Sequence, residues 1–378
     1  MALPGLLLTV LAGATVPTPL PEPVLSRLRS ATVTETDSQR SAFTLTLDAG
    51  RSGPLAAFDN PLITDSPLQV GARVVLLVTL GSVPTVLFDG VVTETTLTPG
   101  DRPGSATFEA TGEDVSFLMD LDEREAEYPA LSDDMQVRTI LAPYLAHGIV
   151  PVVITPPVVQ PPSPVEQVPT QQTTDLRHVV ALAERYGFVA YTQPQSVPGI
   201  SEFYWGPPKR LGLPQPALSV GLGAQTTVTS GPTFTANALA PVQVSGTVQD
   251  PATGQSVPVQ AAVALRPPLA AVPLSATAPV RTRRLRESGT DAATSASRAQ
   301  AVVDAGADGV VGEGELDAAR YGAVLRPRGL VGLRGAGWSY DGLWYVRRVE
   351  HTIAPGSYRQ KFTIVREGFG STVPVVRV

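Results

Sequence analysis

The sequence contains no cysteine and, among its 378 residues, two lysines and three histidines. The absence of cysteine excludes disulfides, thiolate metal sites and cysteine nucleophiles. The scarcity of histidine leaves few candidate general bases or metal ligands. Charged residues make up 16% of the chain and the net charge is −6. We therefore expect neither specific nucleic-acid binding nor attraction to an anionic membrane surface.

Familiar catalytic and nucleotide-binding motifs are also missing. The chain contains neither G-x-S-x-G nor H-E-x-x-H. The glycine-rich segment 332–337 has the spacing of a phosphate loop, but Trp338 stands where that loop requires lysine, so a turn before a strand is the favoured interpretation. We therefore expect no enzymatic activity, no metal and no cofactor.

The amino-terminal apolar run has few features of a targeting segment. No lysine or arginine precedes it and Pro4 interrupts it, which favours an amino-terminal strand or arm over a secretory signal peptide. No later segment is long and apolar enough to predict a membrane span.

Local periodicity predicts a mainly β chain with an α/β insert, in the α+β class. Short alternating segments are separated by many of the 37 prolines and 34 glycines, and helical spacing occurs over 134–145, 174–186 and 291–304. A Pro-rich connector spans 156–170. The predicted domains are a first β domain over 1–120 completed by 201–235, an α/β insert over 121–200, and a second β domain over 236–378.

Two acidic segments are candidate chemical sites. The run from 113 to 127 could supply paired carboxylates, such as Glu113 and Asp120 of a glycan hydrolase, but a solvent-exposed helix face is the favoured interpretation. Residues 304–315 resemble an EF-hand loop, with Asp304, Asp308 and Glu315 at positions 1, 5 and 12. Glycines occupy positions 3 and 9, where oxygen donors are needed, so an Asp/Gly turn is favoured over a calcium site.

The carboxy-terminal segment 344–368 predicts a β-hairpin with its turn at Pro355-Gly356. The apolar face changes sides near Arg347-Arg348, which predicts a β-bulge. We interpret His351 as a hydrogen-bonded packing residue rather than a catalytic one. The predicted core residues are Trp344, Tyr345, Val349, His351 and Phe362. The residues predicted to face a partner protein or a channel are Arg347, Arg359 and Lys361.

Several segments, taken in order, carry a resemblance to a known family. They are ATVTETDSQRSAFTLTLDA, VGARVVLLV, LFDGVVTE, TDLRHVVALAERYGFVAY and the block from GEGELDAARYGA to VREG. Together they resemble the phage late control D family of baseplate hub proteins, which is similar to the amino-terminal half of type VI secretion spike proteins. The resemblance covers about residues 25 to 370. It implies two tube-like antiparallel β-barrel domains per subunit, with a homotrimer forming a pseudo-hexameric ring.

The resemblance also implies a structural role. Such a trimer, assembled in the cytoplasm as part of a phage tail or injection particle, would join a hexameric inner tube to a trimeric spike. The implied partners are the inner tube protein, a spike protein and other baseplate or tape-measure components. We expect the spike to be a separate protein, because the sequence reaches Val378 soon after the predicted hairpin. Composition alone leaves an alternative, an extracellular all-β carbohydrate-binding or adhesin module.

Overall fold

A computed structural model describes residues 6–14, 16–50, 60–64, 66–102, 105–159, 168–249, 254–286 and 291–373. Within these ranges the chain is mainly β, as predicted. The strands of the amino-terminal part are β1 (Leu6–Gly13), β2 (Thr18–Pro19), β3 (Leu28–Thr36), β4 (Ala42–Asp48), β5 (Arg73–Leu80), β6 (Val83–Thr98), β7 (Thr107–Asp114), β8 (Glu123–Glu127), β9 (Ile149–Val153), β10 (Thr170–Thr174), β11 (Val189–Pro194) and β12 (Ser201–Gly206). Those of the carboxy-terminal part are β13 (Gln215–Ser219), β14 (Val228–Ala236), β15 (Val242–Gln249), β16 (Ser256–Ala261), β17 (Ala270–Pro273), β18 (Arg281–Arg284), β19 (Val310–Asp317), β20 (Leu330–Arg334), β21 (Gly342–Ala354), β22 (Ser357–Arg366) and β23 (Gly368–Ser371).

The helices are short, and the longer ones follow the predicted periodicity. They are α1 (Glu22–Leu25), α2 (Pro61–Thr64), α3 (Asp133–Leu141), α4 (Asp175–Arg185), α5 (Ala292–Gly306) and α6 (Ala318–Tyr321). The predicted α4 is confirmed: the Thr174 side chain accepts from the Arg177 N–H, and Gly187 has a left-handed φ of 63° just after the helix. Helix α3 ends four residues before the predicted Leu145 and continues as a 3-10 turn over Ala142–His147, which contains Pro143 near its start.

One 13-stranded sheet runs through both β halves. Its main path is β14-β19-β22-β21-β3-β4-β7-β6-β5-β1-β2, with β20 pairing β21 and β13 pairing β20. The antiparallel pair β3–β21 joins the amino-terminal half to the carboxy-terminal half. Strands β13 and β14 lie mainly within 201–235, the segment expected to complete the first β domain, but they pair with β20 and β19 of the carboxy-terminal half. No pairing among the described residues closes this sheet into a barrel.

Separate hydrophobic cores lie under the two halves of the sheet. The first is built mainly from alternating residues of β3, β4, β5 and β7, with Phe43, Leu45 and Leu47 of β4 all buried. The second contains Trp344, Val349 and Phe362 and is formed mainly by the last strands. Since one strand face supplies each core, the period of two that identified these strands also identifies their buried side.

Two smaller units flank the main sheet. In one, β9, β11 and β12 form a three-stranded sheet that packs with α3 and α4 around the fully buried Trp205. In the other, β16, β15 and β18 form a sheet covered by α5. No helix among the described residues is long and apolar enough to cross a membrane.

The acidic run was predicted to form a helix face, and that prediction is wrong. It comprises the end of β7, a 3-10 turn over Val115–Met119 and strand β8. In β8, Ala126 packs against a core, whereas Glu123, Glu125 and Glu127 are exposed. The spacing of charges could not separate the two structures, because in both of them acidic residues lie on the solvent side.

The predicted bulge and turn of the carboxy-terminal hairpin are confirmed. Val346 lies opposite Ile364 but Arg348 lies opposite Thr363, so Arg347 is the extra residue in β21. This extra residue brings Val346 and Val349 to the same core. Gly356 has a φ of 75°, as the third position of a type II turn requires.

Candidate functional site

A buried polar cluster lies where β3 meets β21. Glu35 of β3 and His351 of β21 are 2% and 0% exposed. The Nε2 atom of His351 lies 3.2 Å from Glu35 Oε2, and its Nδ1 atom lies 2.9 Å from the Tyr358 hydroxyl. With a neutral ring, Nε2–H donates to the carboxylate and the tyrosine hydroxyl donates to Nδ1. Both ring nitrogens of His351 are therefore engaged.

The electrostatics of this cluster favour a carboxylate beside a neutral imidazole. Burial raises the pKa of Glu35, but the positive charge of Arg326 and the hydrogen bond from His351 outweigh it, and the pKa falls to about 2. Burial lowers the pKa of His351 below its usual value, and the bond to Glu35 only partly opposes this. The charge of Glu35 is thus balanced mainly by Arg326.

Arg326 and Arg328 form hydrogen bonds that link the cluster to strands β3, β6 and β11. Arg326 Nη1 lies 3.1 Å from Glu35 Oε2 and donates to the carbonyl of Leu87 at 2.9 Å. Arg328 donates to the Thr36 carbonyl at 2.7 Å and to the Thr192 carbonyl at 2.8 Å. Its φ of 67° is unusual for a residue with a side chain. We call Glu35, His351, Arg326, Arg328 and Tyr358 the joint cluster, because its bonds hold the two β halves and the α/β unit together.

A second buried ion-pair network is centred on Arg210, which lies over the ring of Tyr345 in β21. Arg210 contacts Asp308, and its Nη1 atom lies 3.3 Å from Glu367 Oε2. Glu367 also accepts from the backbone N–H groups of Leu269 and Ala270 at 2.5 Å and 2.7 Å. Arg347, one of the predicted partner-facing residues, is 39% exposed and lies 3.6 Å from Asp308. Part of its charge is therefore already balanced within the chain.

The outer face of the hairpin carries the other two predicted partner-facing residues. Arg359 and Lys361 are 64% and 62% exposed. Arg359 lies 3.2 Å from Glu315, and Lys361 lies 3.9 Å from Glu350. Lys361, Glu315 and Glu350 are among the residues that line a shallow crevice of about 400 Å³. This face presents opposite charges on neighbouring strands.

The candidate acid–base pair is held by one arginine. Arg40 Nη1 lies 2.9 Å from Glu113 and its Nη2 lies 3.2 Å from Asp120. Asp120 also accepts from the Thr174 hydroxyl at 2.5 Å and lies 3.4 Å from Arg177. These bonds connect the end of β7 to the start of α4.

Comparison with solved structures finds proteins that share the fold of this chain. No protein-family model matches the sequence, and no curated protein matches it. A tail protein from Neisseria meningitidis superposes with a TM-score of 0.62 at 10% identity, covering 96% of this chain and 98% of that one. The 43 kDa tail protein of prophage MuSo2 from Shewanella oneidensis superposes with a TM-score of 0.65 at 12% identity, covering 95% and 98%. The chain has the fold of phage tail proteins.

The tail-protein fold is shared with type VI secretion. An Escherichia coli component of that system, described as similar in structure to tail proteins of bacteriophage T4, superposes with a TM-score of 0.53 at 12% identity. The alignment covers 91% of this chain and 75% of that one. The resemblance to phage tail hubs and type VI spike proteins is therefore confirmed for the fold.

Within the tail-protein fold, the three residues of the EF-hand-like segment do not form a loop around one point. Asp304 lies in α5, Asp308 belongs to the Arg210 network, and Glu315 lies in strand β19. Asp304 accepts from the Leu265 N–H at 2.8 Å and from the Gln300 side chain at 2.9 Å. Among the described residues, no group of three or more histidine or acidic side chains is placed to hold a metal ion.

The predicted core residues are all buried. Trp344, Val349 and Phe362 share one core, whereas Tyr345 lies on the opposite side of β21 with Leu330. His351 lies in the joint cluster. Trp344 and Val349 would lie on opposite faces of a regular strand, and the bulge at Arg347 brings both of them to the same core.

Sequence reasoning missed the residues that partner His351. Glu35 did carry a signal, because it continues the buried parity of Ala31 and Val33, and a charged residue on a buried face requires a partner. Arg326 and Arg328 carried none, since they lie in a loop without periodicity.

Proposed function

We propose that this chain is the structural hub of a contractile phage tail or of an injection-system baseplate. The observation that carries the proposal is the agreement of the fold over nearly the whole length of two tail proteins, one of them from a prophage. Similarity to a type VI secretion component supports the same class of machine. A chain of a Francisella PdpA–VgrG complex also superposes on this chain, with a TM-score of 0.56 at 8% identity, and the alignment covers 99% of this chain and 54% of that one.

In the proposed assembly, three copies form a ring that joins a hexameric inner tube to a trimeric spike. Each copy would supply two tube-like β domains, within 1–120 and 236–378, with 121–200 as the insert. The segment from β13 to β14 extends the second of these through its pairing with β20 and β19. Six β domains in a trimer would match a hexamer on one side, and threefold symmetry would match a trimer on the other.

The ends of the main sheet support this assembly. Strands β14 and β2 end the path of the sheet and have no further strand partner among the described residues. Unpaired sheet edges are sites where another chain can add. The buried joint cluster would hold the two β domains of one copy at a fixed angle, which a ring of defined diameter requires.

The proposed hub is non-enzymatic and is assembled in the cytoplasm with other tail components. Its partners would be the inner tube protein, a spike protein and further baseplate or tape-measure components. Neither a cofactor nor a metal is part of the proposal.

Two measurements on the purified full chain test this function. Light scattering should give the mass of three copies, and immobilised chain should retain tube and spike proteins co-expressed with it. Retention of a control protein of similar size and charge should not exceed background. A monomer that binds glycans and captures neither tail component would contradict the hub and support the carbohydrate-binding alternative.

A further inference from the structure

Two edge strands of opposite charge lie in different units of the chain. Strand β18 and the two residues after it carry Arg281, Arg283, Arg284 and Arg286, all exposed. Strand β8 carries three exposed glutamates, Glu123, Glu125 and Glu127. We call residues 281–286 the basic edge and residues 123–127 the acidic edge.

The basic edge has one open side. Strand β18 is the last strand of the sheet β16-β15-β18. The N–H groups of Arg281 and Leu285 donate to carbonyls of the β15 side, both at 3.1 Å. Because backbone direction alternates along a strand, Thr282 and Arg284 point their N–H and C=O groups away from β15. No strand among the described residues pairs with that side.

The acidic edge is open in the same way. Strand β8 pairs with β10 in a two-stranded sheet. The Tyr128 N–H donates to the Pro169 carbonyl at 2.9 Å, so every second residue before it points toward β10. Glu123, Glu125 and Glu127 therefore point their backbone groups outward, and no strand among the described residues meets them.

The two edges do not pair with each other within one chain. Strand β10 leads directly into the start of α4, and so places the acidic edge near that end of the helix. Glu184 and Arg185 at the other end of α4 line a crevice beside the basic edge. A helix of this length separates its two ends by about 16 Å, several times the spacing of paired strands.

We propose that the acidic edge of one copy of this chain adds to the basic edge of a neighbouring copy as an antiparallel strand. A register with Glu125 opposite Arg284 also places Glu123 opposite Arg286. On the other face, Arg124 then lies opposite Leu285 and Ala126 opposite Arg283, so no like charges meet. A shift that places Glu123 opposite Arg284 would put Arg124 against Arg283, and like charges directly opposite are destabilising.

A protein strand fits the basic edge better than a nucleic acid. The crevice beside it, of about 800 Å³, is lined by Glu184, Val244, Leu285 and several arginines, and no aromatic ring among its lining residues could stack on a base. Outward backbone groups are satisfied by another strand. Since the contact uses a different surface on each copy, it is heterologous and can close into a ring.

This inference rests on the proposed assembly of several copies, but its test measures only the contact between the acidic edge and the basic edge. The basic-edge variant is Arg284→Glu/Arg286→Glu, and the acidic-edge variant is Glu123→Arg/Glu125→Arg. We expect each to assemble at least about tenfold more weakly by light scattering over a dilution series, because two attractive pairs become repulsive. The four-substitution chain restores both pairs with reversed sign and should assemble like the natural sequence.

A matched control is Arg102→Glu/Arg320→Glu, which changes net charge as the basic-edge variant does, at two exposed arginines outside both edges. It should assemble normally. Circular dichroism on each variant separates loss of assembly from loss of folding.

Cross-linking tests the same contact directly, helped by the absence of native cysteine. In the proposed register Thr282 lies opposite Glu127, at a Cα separation of about 5.5 Å that a disulfide can span. A mixture of Thr282→Cys and Glu127→Cys chains should form a disulfide-linked heterodimer under mild oxidation. Each single variant alone should form far less linked product.

The outcomes separate this contact from the hub function. If the folded basic-edge variant stays as assembled as the natural sequence, or the mixture forms no heterodimer, the contact is overturned, and capture of tube and spike proteins still supports the hub. A chain that is monomeric at every concentration overturns the contact as well. Binding of single-stranded DNA that the basic-edge variant loses, with no change in assembly, would assign the basic edge to nucleic acid instead.

Discussion

The Nε2 atom of His351 lies 3.2 Å from Oε2 of Glu35, although the two residues are 316 positions apart in the sequence. The contact crosses the β3–β21 pair that joins the two halves of the main sheet. A histidine enclosed by a carboxylate on one side and a tyrosine hydroxyl on the other is fixed in orientation. We therefore interpret His351 as a residue that stabilises the pairing of β3 with β21.

Arg326→Met should destabilise the chain by about 3–5 kcal/mol, because it leaves the Glu35 charge buried without its cation. The double variant Arg326→Met/Glu35→Gln should lose less than the two single changes added together, since no charge then remains buried. Urea unfolding followed by circular dichroism measures both. Arg348→Met removes an exposed partner of Glu350 and should change stability by about 1 kcal/mol or less. Strictly additive losses would argue against coupling in the joint cluster.

Stability should fall in acid because of the joint cluster. The folded pKa of Glu35 is lowered to about 2 from 4.5, so its contribution is complete above pH 4.5 and is lost as the pH falls toward 2. This contribution is on the order of 3 kcal/mol. The lowered pKa of His351 acts in the same direction at higher pH, because the unfolded chain takes up a proton near 6.5 before the folded chain does. Unfolding free energies measured from pH 7 to 3 should fall less steeply in Glu35→Gln, and an unchanged slope would contradict this assignment.

Thr174→Ala should cost about 1 kcal/mol, because it removes the cap of α4. The threonine hydroxyl accepts from the Arg177 N–H at 3.4 Å and donates to Asp120 at 2.5 Å. Thr174→Ser keeps the hydroxyl and should lose much less. Thermal unfolding of the two variants compares them, and equal losses would mean that the methyl group rather than the hydroxyl matters.

Gly112→Ala should destabilise the first β half by about 1–3 kcal/mol through overpacking. A Cβ atom there would lie 2.1 Å from the Val91 carbonyl oxygen and 2.4 Å from the Phe43 ring. Gly332→Ala is the matched change in another strand of the same sheet, where the nearest atom is the Ala217 Cβ at 3.5 Å. It should be neutral or slightly stabilising. If both changes cost the same in urea unfolding, the close packing around Gly112 is not the cause.

Local features of the fold were readable from the sequence. The alternation of Phe43, Leu45 and Leu47 indicates a strand and its buried side. Thr174 or Asp175 and Gly187 are residues typical of the two ends of a helix, and the structure selects Thr174 as the cap. Even the bulge at Arg347 was visible, because an extra residue shifts which positions are apolar. Each of these features depends on neighbours a few residues apart.

The joint cluster depends on residues far apart in the sequence, and of its five residues only His351 is singled out by the sequence. His351 shares the strand parity of the apolar residues Val349 and Ile353, which indicates burial, but no local pattern identifies Glu35 as its partner. The prediction of a helix for the acidic run is wrong because exposed glutamates are compatible with a helix face and with a strand face. Pairing with β10 makes residues 123–127 a strand.

The sequence by itself determined that this chain is mainly β, where many of its strands and its longer helices lie and which of their faces are apolar, because these follow from side-chain periods of 2 and 3.6. Tertiary structure decided which strands become neighbours, and with that the pairing of β3 with β21, the pairing of β14 with β19, and the partners of buried charges such as Glu35. The reason is physical: strand pairing uses backbone groups that are the same in nearly every residue, so the choice of partner is made by packing across the whole chain.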